Sequence, residues 1–91
     1  MTIVGDTLGL LQEALQLAQD LGYRVREEPL GALPGGPCTV SGSKHVLLNV
    51  EHTASDRLDV LLRALAADPR LAAEPKSRLL ESRLAAIAAS G

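Results

Sequence analysis

The stretch GGPCTVSGSKHVLLNVEHTASDRLDVLLRALA, residues 35–66, decides the fold of this chain. Its first half alternates apolar and polar residues on either side of Ser41–Lys44, where Gly42 supplies turn flexibility, and this pattern is typical of a β-hairpin. Its second half repeats leucine at the three- and four-residue spacing of an amphipathic helix. We therefore predict a hairpin that leads directly into a helix from about Ser55 to Ala67.

The register of the hairpin is predicted from its apolar side chains, because a strand with one buried face must bury one alternate set. If Val40 pairs with Val46, Cys38 faces Leu48. The apolar face then holds Cys38, Val40, Val46, Leu48 and Val50, and the opposite face holds Thr39, His45, Leu47 and Asn49. We therefore expect Cys38 inside the protein, with a thiol that reacts slowly, and His45 outside on the other face.

A helix and a short strand are predicted before the hairpin. Leucine and alanine repeat at helical spacing over about residues 7–21, and Gly22 stands where a left-handed residue ends a helix. Residues 23–28 alternate between apolar and charged side chains, as a strand with one solvated face does. Residues 29–37, PLGALPGGP, hold three prolines and three glycines and predict a loop.

A last helix is predicted beyond the break at Asp68-Pro69, from about Pro75 to Ala89. The order helix, short strand, β-hairpin, helix, C-terminal helix predicts an α+β fold with a small, mainly antiparallel sheet packed on helices. The chain of 91 residues fits a single domain, with a core of about residues 7–67 followed by the C-terminal helix.

The composition argues against several classes of protein. Tyr23 is the only aromatic residue and the net charge is −2, so the chain lacks both the basic stripe and the stacking platform of nucleic-acid-binding proteins. Cys38 is the single cysteine, which excludes an intramolecular disulfide. No apolar run approaches the roughly 18 residues of a membrane span, and no basic region of a secretory signal is present. We expect a cytoplasmic protein that binds neither nucleic acid nor membranes.

The order of elements resembles the core of minimal zinc metallopeptidases of the ImmA/IrrE type over roughly residues 8–66. The likeness is carried by the strand Val46-Leu47-Leu48-Asn49-Val50 and by the helix that starts at Ser55-Asp56-Arg57-Leu58. In that family the helix carries the HExxH motif, two histidines one turn apart and a glutamate base. Here the helix holds no histidine, so the resemblance implies a scaffold without its catalytic site. The GGxCxVxG hairpin is also similar to that of small bacterial proteins, a likeness that implies no function.

Two candidate sites near the hairpin have plainer interpretations. Cys38 could be a nucleophile with His45 as its base, but the predicted register separates them, and we interpret Cys38 as a small buried hydrophobe. Gly35-Gly36 matches no phosphate-binding glycine pattern and precedes a strand rather than a helix, so it predicts a turn.

A metal site is the remaining candidate. His52 and Asp56 stand four residues apart beside Glu51, but without a further histidine or cysteine they make a poor ligand set. We interpret His52 as an exposed histidine near a helix cap. The sequence therefore predicts no catalytic residue, no cofactor and no metal.

The function predicted from these observations is a non-catalytic protein-interaction or accessory module, including self-association as a homodimer. The apolar surplus of the helices exceeds what a small sheet covers, and exposed apolar patches mark interfaces. The predicted interaction surface consists of Leu47, Leu79, Leu80, Leu84 and Ile87. A competing arrangement folds the last helix over the free face of the sheet beside Leu47. The alternative function is a small hydrolase or degenerate metallopeptidase-like enzyme that uses Cys38 or His45 and His52.

Overall fold

Three helices and a three-stranded sheet make up the described part of the chain. The computed structural model describes the backbone of residues 3–90 and the side chains of residues 7–89. The elements in chain order are α1 (Ile3–Asp20), β1 (Arg24–Glu28), β2 (Gly36–Val40), β3 (Ser43–Asn49), α2 (Ala54–Ala66), a short 3₁₀ helix (Pro69–Ala73) and α3 (Arg78–Ser90). The predicted α+β class and order of elements are confirmed.

The boundary between α1 and β1 follows from one glycine. Gly22 has a φ of 89°, a conformation that only glycine adopts without strain. The Tyr23 N–H bonds to the Ala18 carbonyl at 2.9 Å, and the Gly22 N–H bonds to the Gln19 carbonyl at 3.0 Å. These two bonds form a Schellman motif, which closes the end of α1 and turns the chain into β1.

The sheet is mixed, with the order β1-β3-β2. Central β3 runs parallel to β1, with Val25 opposite Val46, and antiparallel to β2. The chain leaves β1 through the loop at residues 29–35 and reaches the far edge as β2 before it returns between the two. The pair of β2 and β3 is therefore antiparallel, as predicted for most of the sheet. The pair of β1 and β3 is parallel.

The predicted register of the hairpin is wrong. Val40 pairs with Ser43, and Cys38 lies opposite His45 rather than Leu48. The turn has only two residues, Ser41 and Gly42, with φ angles of 51° and 82°. Two positive φ angles are those of a type I′ turn, which matches the natural twist of a hairpin better than a longer connection.

The corrected register moves Cys38 to the exterior. Cys38 is exposed and Val40 is 46% exposed, whereas the sequence placed both inside. Pro37 takes the inner position opposite Val46 instead. Cys38 and His45 therefore share one face, and the prediction that they occupy opposite faces is wrong as well.

All three helices lie on the same side of the sheet. Helix α2 packs on β2 and β3, α1 packs on β1 and α2, and α3 packs on α1 and α2. The centre of the core contains fully buried aliphatic side chains, namely Val46, Leu48, Leu58, Leu61, Leu62, Leu65 and Leu80. Each buried leucine contributes about 1.5–3 kcal/mol of hydrophobic free energy, so a core without Phe or Trp still stabilises the fold.

Helix α3 belongs to this core. Leu80 has no solvent exposure, and Leu84 and Ile87 pack against the buried cluster. The Glu13 carboxylate accepts hydrogen bonds from the Ser77 backbone N–H at 2.8 Å and from its hydroxyl at 2.7 Å. Glu13 thereby holds the residue that caps α3. The competing arrangement, in which this helix covers the free face of the sheet beside Leu47, is wrong.

Candidate functional site

The loop at residues 29–35 is held in place by Asn49, at the end of β3. The Asn49 amide accepts from the N–H groups of Leu30 at 3.2 Å and Glu51 at 3.0 Å, and donates at 2.9 Å to the carbonyls of Gly31 and Leu33. Its side chain is buried, and both lone pairs and both N–H groups have partners. The asparagine that carries the metallopeptidase resemblance therefore has a structural task here.

We call the sheet face without a helix the outer face. Its side chains come from Arg24, Arg26, Glu28, Cys38, Val40, His45 and Leu47. The loop closes over one end, where Gly35 lies so near β3 that a Cβ atom on it would stand 2.4 Å from the Leu47 carbonyl oxygen. Gly35 thus makes the close crossing that leads into β2, and Gly36 is the first residue of that strand rather than part of a turn. The outer face stays open at the end that holds Cys38 and His45.

Three side chains that can donate or accept hydrogen bonds form a row across the outer face. His45 on β3 has Arg24 beside it on β1 and Cys38 beside it on β2. The spacing between neighbouring strands is about 4.8 Å, so a thiol and an imidazole in adjacent positions are within reach of each other. The structure therefore brings together the two residues of the nucleophile–base pair that the predicted register had separated.

The chemistry of this row is incomplete. His45 Nδ1 is buried and, within the described part of the chain, makes no hydrogen bond. An effective base is usually oriented by a third group, most often a carboxylate. Arg24, the other neighbour of His45 in the row, has only hydrogen-bond donors, so it cannot accept a hydrogen bond from the imidazole ring. The row supplies a thiol and an imidazole, but not the third member of a triad.

A cavity of about 310 Å³ opens at the inner end of the sheet. Its wall includes Tyr23, Lys44, Ala64, Ala67 and Asp68. The Lys44 ammonium lies 5.6 Å from the centre of the Tyr23 ring, within cation–π range. Cys38 and His45 also line this cavity, so it adjoins the pair on the outer face.

Asp68 is the most strongly perturbed titratable group of this region. Arg70 donates to it through Nη2 at 2.7 Å and through its backbone N–H at 2.9 Å, and the Tyr23 hydroxyl donates at 3.0 Å. Chiefly because of the Arg70 side chain, the pKa of Asp68 lies far below its usual range. Burial and the bond to Asp68 raise the pKa of Tyr23. At neutral pH Asp68 is therefore a carboxylate and Tyr23 keeps its hydroxyl proton, so the cluster joins the two residues without a change of charge.

The residues considered for a metal site lie around the start of α2. The His52 N–H bonds to the Asn49 carbonyl at 3.0 Å, and Thr53 caps the helix by accepting from the Asp56 N–H at 3.1 Å. Over the described residues, no group of three or more His, Cys, Asp or Glu side chains is placed to hold a metal ion. His52 is half-buried rather than exposed, and it sits next to the cap as predicted.

The residues of the predicted interaction surface are not brought together. Leu80 lies in the core, so it is removed from the surface. Leu84 and Ile87 are partly buried, and Leu79 is 56% exposed on α3. Leu47 is half-buried on the outer face, and α3 makes no contact with the sheet in the described part of the chain. Leu47 and Leu79 therefore lie in different layers of the protein.

Comparisons with protein-family models, with curated proteins and with solved structures found no match. Across the described residues, none of the helices has both the length and the apolar character needed to cross a membrane. The geometry of the sheet and of the side chains on it is therefore the basis for inferring a function.

Proposed function

We propose that this chain is a non-catalytic interaction module that binds another protein chain through the uncovered side of its sheet. One observation carries the proposal: α1 and α2 pack on one face of the sheet and α3 packs on these two helices, which leaves the outer face without a helix and both edge strands without a further strand in the described part of the chain. Sheet edges present unpaired backbone groups, and these are a common docking site for extended segments.

The exposed side chains are consistent with this role. Arg24, Arg26, Cys38 and Val40 on the outer face are all exposed, and Leu33, in the loop that borders it, is 64% exposed. A mixture of arginine and aliphatic side chains is typical of the surfaces that proteins use to bind one another. The likeness to a metallopeptidase scaffold stays a proposal; α2 has no histidine to give it a zinc site.

The proposal is tested by placing a photo-crosslinking amino acid at Arg26 or Val40 on the uncovered side of the sheet, and at exposed Glu81 on α3 as the matched control. The variants are irradiated in cells of the native host. We expect discrete protein adducts from position 26, from position 40 or from both, and none from position 81. No adduct from the sheet positions, or equal labelling from position 81, contradicts the proposal.

A cysteine-dependent hydrolase is the second candidate, and the pairing of Cys38 with His45 is the observation that favours it. The test is the rate at which an alkylating reagent labels Cys38 in the native protein and in His45→Gln. A hydrolase requires labelling that is faster than that of a free thiol and that slows in the variant, because the base would promote the thiolate. Equal rates in both proteins leave the interaction module as the function.

A further inference from the structure

The free edge of β2 is poorly suited to pair with a further strand. With a two-residue turn, Val40 and Ser43 exchange hydrogen bonds, and so do Cys38 and His45 two positions further on. The backbone groups of Pro37 and Thr39 consequently point away from β3, and proline has no N–H to offer. Of these two residues, only Thr39 offers an N–H to a partner strand. Proline at the edge of a sheet is known to hinder pairing with a further strand.

The free edge of β1 is well suited to pair with a further strand. The Glu28 carbonyl accepts from the Val50 N–H at 3.1 Å, so alternate residues Glu28, Arg26 and Arg24 direct their backbone groups towards β3. Val25 and Glu27 therefore direct both N–H and C=O away from the sheet. No proline interrupts β1, and Glu27 is exposed. This edge offers two donors and two acceptors in the spacing that a further strand requires.

We infer that the β1 edge pairs antiparallel with β1 of a second copy of this chain, around a two-fold axis at Arg26, so that Arg24 of each copy lies opposite Glu28 of the other. The inference rests on the proposed function and specifies the partner and the surface. The strand sequence Arg-Val-Arg-Glu-Glu is complementary to itself when reversed, since its first residue is basic and its last is acidic. Opposite charges placed directly across two strands stabilise the pair.

The register follows from hydrogen bonding and charge together. With the axis at Arg26, Val25 of each copy lies opposite Glu27 of the other, and both outward-facing residues bond in each copy. The outward positions fall on every second residue, so the next registers displace the strands by two. Each of these registers forms a single bonded pair in place of two. One sets Arg24 against Arg26, a like-charge pair, and the other sets Glu27 against itself while it places Arg26 opposite Glu28.

The charge on the axis is already compensated within each chain. The two Arg26 side chains face each other there, and each forms an ion pair with Glu28 of its own chain at 2.5 Å. Each Glu28 would then lie between its own Arg26 and Arg24 of the second copy. The result is a continuous six-stranded sheet with alternating charge across the join, and two-fold dimers are the commonest closed assemblies.

The test is sedimentation equilibrium of the full chain over a micromolar concentration range, with circular dichroism to verify folding. We expect a dimer whose dissociation constant rises about tenfold in Arg24→Glu and in Glu28→Arg, because each change creates two like-charge pairs across the join. The double variant restores opposite charges and should recover the wild-type constant. Arg78→Glu with Glu81→Arg, on exposed positions of α3, is the matched control and should have no effect.

Each other result overturns the inference. A wild-type chain that stays monomeric, a dimer insensitive to both single changes, or a double variant that does not recover excludes pairing through β1. If Glu28→Arg does not fold, Glu28→Gln is combined with Arg24→Glu instead. This combination has no like-charge pair across the join, so a comparison with Arg24→Glu alone still separates loss of pairing from unfolding. Crosslinks from position 26 to a different protein would overturn this pairing and leave the proposed function standing, whereas no crosslink at all contradicts the proposed function itself.

Discussion

The Tyr23 hydroxyl donates a hydrogen bond of 3.0 Å to Asp68 Oδ2, and this bond joins the residue before β1 to the residue that caps the 3₁₀ helix after α2. Asp68 is 6% exposed and also accepts from the Arg70 guanidinium. A buried carboxylate is stable only when it is paired and hydrogen-bonded, and these two partners meet that need. The bond therefore fastens the sheet to the end of α2, where the chain enters the 3₁₀ helix.

Acid should weaken the fold through Asp68. The pKa of Asp68 is lowered in the folded state, so its stabilising contribution is fully present above the unfolded pKa of about 3.9 and is lost as the pH falls below that value. We expect the midpoint of urea unfolding to begin to fall at about pH 5 and to continue falling below about pH 3, because the contribution of Asp68 is lost progressively from the unfolded pKa down towards the much lower folded pKa.

Asp68→Asn should flatten that pH profile, because the variant has no carboxylate to protonate. Glu51→Gln, on an exposed residue, is the control and should keep the wild-type slope. The measurement is the urea midpoint at each pH for the three proteins. If the wild type and Asp68→Asn lose stability in parallel on acidification, other carboxylates govern the acid response.

Asn49→Ala should destabilise the protein by about 3 kcal/mol, because it removes four hydrogen bonds and leaves backbone groups of the loop unpaired. Asn49→Asp retains the acceptor for Leu30 and Glu51 but cannot donate to Gly31 and Leu33, so an intermediate loss is expected. Unfolding free energies from urea titration give both values. Equal losses in the two variants would show that the bonds accepted from Leu30 and Glu51 contribute nothing, and a loss in Asn49→Ala alone would show that the bonds to the loop carbonyls contribute nothing.

The helices and the turn after α1 are readable from sequence because their causes are local. Leucine and alanine spacing predicts α1 and α2, and Gly22 marks the end of α1, since each of these signals acts within a few residues. The same holds for the break at Asp68-Pro69, where Asp68 caps the 3₁₀ helix by accepting from the Arg70 N–H at 2.9 Å.

The sheet could not be read in the same way. A one-residue change in pairing moves every side chain of a strand to the other face, and the alternation of Cys38 and Val40 favoured the wrong choice. The turn depends on Ser41 in a left-handed conformation, which serine rarely adopts. The parallel pairing of β1 and β3 depends on the course of the intervening loop. That course is set by Asn49, which lies 16 to 19 residues away from its loop partners.

The pairing of the candidate site is hidden from the sequence for the same reason. The residue types of Cys38 and His45 indicate their chemistry, but their position opposite each other is a property of the register rather than of either residue. The bond between Tyr23 and Asp68 spans 45 residues, and no periodicity predicts it. The signal that the sequence does contain is the dipeptide Ser41-Gly42 between the two strands, since Ser-Gly marks turns and loops.

Gly35→Ala should destabilise the protein by about 2 kcal/mol or more, because strain at a positive φ is joined by a steric clash. A Cβ at this position would stand 2.4 Å from the Leu47 carbonyl oxygen, and φ is 82°. Gly31→Ala is the matched control: its φ is 62°, but nothing lies within 4 Å of the added atom. The difference between the two unfolding free energies isolates the clash, and equal values would show that the loop moves away freely.

Cys38 should react with a thiol reagent in the native protein at a rate comparable to that of the unfolded chain, because its side chain is exposed on the outer face. The matched control carries the thiol on the other face of the sheet: Cys38→Ser combined with Val46→Cys, since Val46 has no solvent exposure. That buried thiol should react only when the protein opens, so its labelling should be slow in buffer and accelerate in urea. Both rates are measured by absorbance with an aromatic disulfide reagent. Slow labelling of Cys38, or equal native rates at the two positions, would contradict the register in which Cys38 lies opposite His45.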